Sequence, residues 1–305
     1  MFVEEHLREL RSQRFAPAAL VAYARQVGAI ARHNMVANPG AVRSVWVAGL
    51  AFFAAAFVAA VAMAVAYDRA LAYDFLLQTS FGVLPACALV SLGIGQLRNR
   101  EGYTLSAINV PIALTMLRLA LTPALVLFLL DGHAALALVT FVVVGLTDVA
   151  DGWLARRWNQ ETQLGRMIDP VVDIVSNLAL FLALLASHTL PIWVASWAIA
   201  RYAVLLIGGS YLYLFVGPVR IHPTVFGRAT GIVMAALVGL VLLLRTFEGR
   251  TAEILRPLTE VALGVLLAAT VIHAVVLGWY NLRLLTGRAR EASGRVVGDV
   301  RYGPR

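Results

Sequence analysis

Residues 134–157 read AALALVTFVVVGLTDVADGWLARR. The stretch is apolar almost throughout. Only near its end do Asp148 and Asp151 interrupt it, and it closes on Arg156 and Arg157. As a helix at 1.5 Å per residue it covers roughly 36 Å, enough to cross a hydrocarbon layer of roughly 30 Å. The sequence predicts a membrane-spanning helix with carboxylates placed just inside its basic end.

The rest of the chain is built the same way. Of its 305 residues, 60% are hydrophobic and 14% charged. Mean hydropathy is +0.80. A soluble globule is about 45–50% apolar and about 25% charged, so there is too little polar surface here to cover one. Eight apolar runs are expected to span, near 45–66, 77–97, 107–130, 134–156, 166–187, 190–214, 225–246 and 257–282. The short alternation of an outer-membrane barrel is absent. The fold class is therefore an all-α polytopic membrane protein.

The net charge of +8 comes from Arg alone, since the chain contains no Lys. These Arg are scattered between apolar runs. They fit positive cytoplasmic helix ends rather than a nucleic-acid surface, so no nucleic-acid partner is expected. Arg43, Arg98, Arg100, Arg156, Arg157, Arg166, Arg220 and Arg283 fall on one side if all eight runs span. Both termini are then cytoplasmic, with Arg245, Arg250 and Arg256 a partial exception on the other side. Cys87 is the only cysteine, so neither an intrachain disulfide nor a Cys-based metal site is expected. The first strong apolar run starts near Val45, too late for a cleavable signal peptide.

The organisation divides into four parts. Residues 1–44 carry Leu20, Ala24, Val27, Ile30 and Ala31 at helical spacing, with Arg25 and Arg32 on other faces. They form a cytoplasmic or interfacial amphipathic segment lying on the membrane surface and its lipids. Residues 45–100 supply two transmembrane helices. Residues 101–286 hold six more and all the unusual polar groups. Residues 287–305 form a flexible basic tail.

The acids in the third part have a pattern. Asp148 and Asp151 are three apart and share a helical face, as do Asp169 and Asp173, four apart. A short loop joins the two runs, so the helices are expected to be antiparallel neighbours with all four carboxylates converging at their cytoplasmic end. Charges at membrane depth are costly and usually serve a function. Four gathered anions need compensation, and hard divalent cations supply it, with no His or Cys nearby to favour zinc. Two such ions about 3.5–4 Å apart are a recurrent device for displacement at phosphorus. Gly152 and Gly165 remove side chains beside the acids, either for close helix approach or for a flat ligand.

Written out, residues 148–173 are D-x2-D-G-x2-A-R-x8-G-x3-D-x3-D, and Asn109 to Arg118 reads N-x5-T-x2-R. The first string resembles the signature of the CDP-alcohol phosphatidyltransferase family, and the second resembles the opening of that family's first core helix. The resemblance covers about 107–285 and implies a six-helix core, to which the two N-terminal transmembrane helices and the amphipathic helix are additions. It implies a transferase of phospholipid biosynthesis that moves a phosphatidyl group from CDP-diacylglycerol to an alcohol and releases CMP. It also implies that Asp148, Asp151, Asp169 and Asp173 hold magnesium or manganese, in two ions. By the same resemblance Asp173 is the catalytic base, Gly152, Ala155, Arg156 and Gly165 contact the nucleotide, and the protein pairs as a homodimer. The setting expected is a bacterial inner membrane, with the site facing the cytoplasm.

Arg118, Arg201 and Arg228 lie inside apolar runs. Arg at depth should face a polar cavity or an anion, which suits a phosphorylated acceptor. Gly227-Arg228-Ala229-Thr230 and Ala200-Arg201 resemble positions of glycerophosphate-using members. Ile174, however, stands where those members have Lys. Glycerol 3-phosphate is the acceptor expected, with inositol phosphate and phosphatidylglycerol as alternatives. A divalent-cation transporter is the alternative of another class.

Overall fold

Helix formation here follows from backbone chemistry. In a lipid layer every backbone N–H and C=O must be paired within the chain, and long apolar segments meet that demand as helices. The computed structural model describes residues 16–211, 225–247 and 249–299, of which the side chains of 209, 211, 225, 226, 228 and 281–299 are left undescribed. Among the described residues there are nine α-helices. They are α1 (Pro17–Ala37), α2 (Pro39–Ala66), α3 (Arg69–Leu92), α4 (Val110–Leu130), α5 (Ala134–Arg157), α6 (Gln163–Ala186), α7 (Ile192–Tyr211), α8 (Val225–Thr246) and α9 (Arg250–Asp299). A 3-10 turn, Ile94–Gln96, follows α3, and an isolated antiparallel bridge joins Arg98 to Thr104.

Seven described helices are long and apolar enough to cross a membrane, against eight expected. The difference is the run at 190–214. Its helix begins after Pro191 and runs Ile192–Tyr211; the side chains of 209 and 211 and residues 212–214 lie outside the described residues, so this run is not among the seven. Two boundaries also move. The first span begins at Pro39, where the Asn38 side chain accepts from the Ala41 N–H at 3.2 Å and caps the helix. The second begins at Arg69 and stops before Gly93 rather than running 77–97; hydropathy alone discounts its polar first turns. The amphipathic segment is helical over Pro17–Ala37, with Arg25 and Arg32 exposed alongside Leu20, Val21 and Val27. Residues 1–15 lie outside the description. Helical backbone reaches Asp299, into the stretch read as a flexible tail.

The short α5–α6 connection suggests a packed hairpin, but α5 and α6 make almost no direct contact. Both pack along α4, as does α3. From α4 the contacts run α4–α5–α8–α9–α7–α6 and back to α4, closing a ring of six helices. α4 is accordingly the most buried span. The N-terminal helices attach outside this ring. Val83, Ala86 and Val90 of α3 pack with Ile112, Met116 and Ala120 of α4 and with Ile168 and Val172 of α6 in one apolar cluster.

The α3–α4 approach depends on Gly82. A Cβ there would lie 2.5 Å from the Ala120 carbonyl oxygen and 2.8 Å from its Cα, and backbone cannot yield as a side chain can. Gly82→Val should force the helices apart at a cost of about 1–3 kcal/mol, measured as a lower melting temperature of the purified protein in detergent. An unchanged melting temperature would show that α3 is not clamped to α4.

Candidate active site

The site forms where α4 and α6 begin and α5 ends. Asn109 caps α4 by accepting from the Ile112 N–H at 3.2 Å, and its side-chain amide donates to the Gln160 carbonyl in the α5–α6 connection. Arg100 pairs with Glu161 at 2.7 Å, and the Gln163 N–H donates to the Arg98 carbonyl at 3.0 Å. The segment before α4 and the connection after α5 are thus tied together beside the carboxylates.

α4 presents Thr115, Arg118 and Thr122 at i, i+3 and i+7, one helical face. α6 presents Asp169, Asp173 and Ser176 at i, i+4 and i+7, and the two faces meet rung by rung. The Thr115 hydroxyl donates to Asp169 at 3.0 Å, Arg118 pairs with Asp173, and Thr122 donates to Ser176 at 2.9 Å. From the other side of α4, Asp148 approaches the Arg118 guanidinium at 2.6 Å, and Asp151 pairs with the same nitrogen. Arg118 is therefore the hub of the cluster, its side chain only 4% exposed. Asp151 is nearly as buried, whereas Asp148 and Asp173 are 55% and 48% exposed.

Three of the four aspartates meet on Arg118, and Asp169 stands beside them through Thr115. They come together through α4 rather than through a hairpin of their own. A guanidinium fills the centre, and among the described residues no three carboxylates stand together as a ready-made ligand set. Three carboxylates pair with one guanidinium and a fourth stands beside them, an acid-rich, all-oxygen setting. The donor chemistry and the charge fit a hard divalent cation.

Next to the cluster lies a cleft of about 350 Å³, counting its open mouth, lined by Asp151, Gly152, Ala155, Gln160, Gly165 and Asp169 among others. The two glycines do not serve helix packing. A Cβ at Gly165 would come 3.2 Å from the Thr162 hydroxyl, and one at Gly152 would meet only the Arg156 guanidinium at 3.4 Å. Both face the cleft. Arg156 is exposed and folds back beside Gly152, with no carboxylate partner among the described residues. The side-chain oxygen of Gln160 is buried without a hydrogen-bond partner.

The three cations expected at an acceptor separate. Arg118 spends its contacts on carboxylates. Arg201, on α7, reaches the Thr270 hydroxyl and the Met234 sulfur, each at 3.4 Å, and has no carboxylate partner among the described residues. The Arg228 side chain lies outside the described residues. Thr115 and Gln160 are cleft or cluster residues to which sequence reasoning gave no role. Thr115 was legible, since it occupies the fixed Thr of N-x5-T-x2-R. Gln160 was not, because its importance lies in an unpaired oxygen.

These features define an integral membrane protein of α-helices with an acid-rich site at one end of a six-helix ring. The chain belongs to the CDP-alcohol phosphatidyltransferase family, whose model matches residues 108–280. It is 37% identical over 109 residues to the cardiolipin synthase (CMP-forming) of Streptomyces coelicolor, covering 33% of this chain and 49% of that one. It is 38% identical over 103 residues to the CDP-diacylglycerol–glycerol-3-phosphate 3-phosphatidyltransferase of Escherichia coli K12, covering 32% and 56%. The Aquifex aeolicus enzyme of the same name is 27% identical over 155 residues, covering 50% and 86%. The chain spans half the length or less of the first curated relatives it matches. No solved structure matches it significantly.

Removing one partner of a buried ion pair costs about 3–5 kcal/mol. Arg118→Leu should fall near the lower end, about 3 kcal/mol, because Asp148 and Asp173 are half-exposed. The check is the melting temperature of the purified variant, which should drop and recover in part when magnesium is added. A variant as stable as the wild type would remove Arg118 from its place as hub.

Proposed function

We propose that this protein transfers the phosphatidyl group of CDP-diacylglycerol to the hydroxyl of glycerol 3-phosphate and releases CMP. The observation that carries this is the junction of the four-carboxylate cluster with the cleft lined by Gly152, Ala155 and Gly165. The names of the Escherichia coli and Aquifex aeolicus relatives support the same donor and acceptor. Membership of an enzyme family removes the cation-transporter alternative.

The nucleotide lies in the cleft, where the missing side chains of Gly152 and Gly165 admit a flat ring. The unpaired oxygen of Gln160 accepts from a donor on that ring, a role the amino group of cytosine fits. Arg156 stands free to meet a phosphate. Asp148, Asp151, Asp169 and Asp173 hold one or two divalent cations, magnesium or manganese, with Arg118 compensating the charge that remains. Such ions, when bound, neutralise the pyrophosphate and stabilise its departing half. Asp173, half-exposed at the edge of the cluster, takes the proton as the acceptor oxygen attacks the phosphorus bearing the diacylglycerol. The bond from that phosphorus to the bridging oxygen breaks, and the electron pair leaves with CMP.

Arg201 supports an anionic acceptor. A half-buried cation inside an apolar ring, met among the described residues by a hydroxyl, a thioether and the Tyr202 ring rather than a carboxylate, favours an anion. The Streptomyces relative supports a second reading, with phosphatidylglycerol as acceptor, and inositol phosphate is a third. We place the protein in a bacterial cytoplasmic membrane with its site and both termini on the cytoplasmic side, as the Arg distribution supports. The family resemblance supports a homodimer.

Purified protein with magnesium, CDP-diacylglycerol and a panel of labelled acceptors should give lipid product and CMP with glycerol 3-phosphate, and none with chelator present. CMP release with phosphatidylglycerol alone would replace the acceptor. Asp173→Asn should abolish transfer while donor binding persists; full activity would remove Asp173 as base. Arg201→Ala should raise the acceptor KM at least ~10-fold, as loss of a charge-assisted contact does, with the donor KM little changed. Equal effects on both would assign Arg201 to the fold.

A further inference from the structure

The corner between α1 and α2 is bound to the chain that enters α4. The Asn38 side-chain amide donates to the Leu105 carbonyl at 2.8 Å, while its oxygen caps α2. The Ser44 hydroxyl accepts from the Ile108 N–H at 2.9 Å and donates to the Ala41 carbonyl at 2.7 Å, so it is used as donor and acceptor at once. Between these two contacts Gly40 lies against Ser106, and a Cβ there would stand 2.8 Å from the Ser106 carbonyl oxygen. Ala41 and Val45 are fully buried beneath the corner, in one apolar cluster with Leu97, and Leu105 and Ile108 pack against it. Ile108 stands before α4, so its N–H has no acceptor within a helix, and Ser44 supplies one.

The contacts lead to the nucleotide cleft. Ile108 is followed by Asn109, whose side-chain amide holds the Gln160 carbonyl. Pro111 and Ile112 of α4 line the cleft, as do Gln160, Glu161 and Thr162 of the α5–α6 connection. Asn38, Gly40 and Ser44 are not part of that lining. We propose that Ser44, helped by Asn38 and Gly40, is a positioning residue for the nucleotide, and that it acts through Ile108 and Asn109 on the rim of the cleft. This rests on the donor proposed above. The corner lies outside the matched residues 108–280, so helices added to the family's core hold the rim on which that core binds its substrate. The N–H of Ile108 and the amide of Asn109 are one residue apart, so slack at the first passes directly to the second. A shift of about 1 Å at a binding group costs ~100-fold in rate.

The test is binding of CMP, with magnesium present, to the purified full-length protein by calorimetry. Ser44→Ala removes the acceptor of the Ile108 N–H. Gly40→Ala removes no hydrogen-bonding group and pushes on the Ser106 carbonyl. Each should weaken CMP binding about 5-fold, the size of one net hydrogen bond. Ser44→Thr keeps a hydroxyl and should stay within about twofold of wild type. In turnover, Ser44→Ala should raise the donor KM by the same factor and leave the acceptor KM within about twofold. A lower melting temperature with unchanged CMP affinity would make the corner a fold contact only and overturn the proposal, as would equal losses in the Ala and Thr variants. Independently, amide hydrogen exchange in Ser44→Ala should quicken over residues 105–109 and over 158–165. Quickening confined to 105–109 overturns the proposal. If the wild type binds no CMP, the proposed reaction fails, while exchange over 158–165 still decides whether the corner holds the rim.

Discussion

One guanidinium at one end of the six-helix ring holds the arrangement together. Arg118 is almost wholly buried and meets Asp148, Asp151 and Asp173, drawn from two helices that do not pack on each other. Without a central cation these carboxylates would repel across a poorly solvated space. With it, α5 and α6 are held to opposite sides of α4, and the gap between them becomes the cleft. The same ion pairs that stabilise the helix ends therefore define the room available to a ligand.

α4 carries this role because of what its sequence places on its faces. Thr115, Arg118 and Thr122 make a polar seam towards α6, while Ile112, Met116 and Ala120 pack with α3. A helix with such opposed demands is best satisfied at the centre of a bundle. Its burial in turn gives the site one rigid reference. The polar cleft on one side and an apolar groove on the other share the residues at Gly165 and Asp169.

Much of this was legible in the chain. Period and length predicted the spans, because in lipid an apolar segment of about twenty residues has few alternatives to a helix. Spacings of three and four predicted which carboxylates share a face. The fixed positions of residues 148–173 pointed to the family that the comparison bears out. What failed was the inference from loop length to contact. A short connection from Trp158 to Thr162 constrains where two helix ends lie and leaves open whether the helices pack on each other.

The composition and the residue spacings by themselves determined the membrane class, the helical content, the family and the four acids at one helix end. Each of these depends on local chemistry or on the identity of neighbours in the chain. Only the tertiary structure decided that Arg118 joins those acids, that Arg201 stands apart from them, that Gln160 keeps an unpaired oxygen and that α3 walls a groove beside the site. Those facts concern which side chain finds which partner across residues far apart in sequence. That choice is made by packing, where α4 can satisfy its polar face and its apolar face at once.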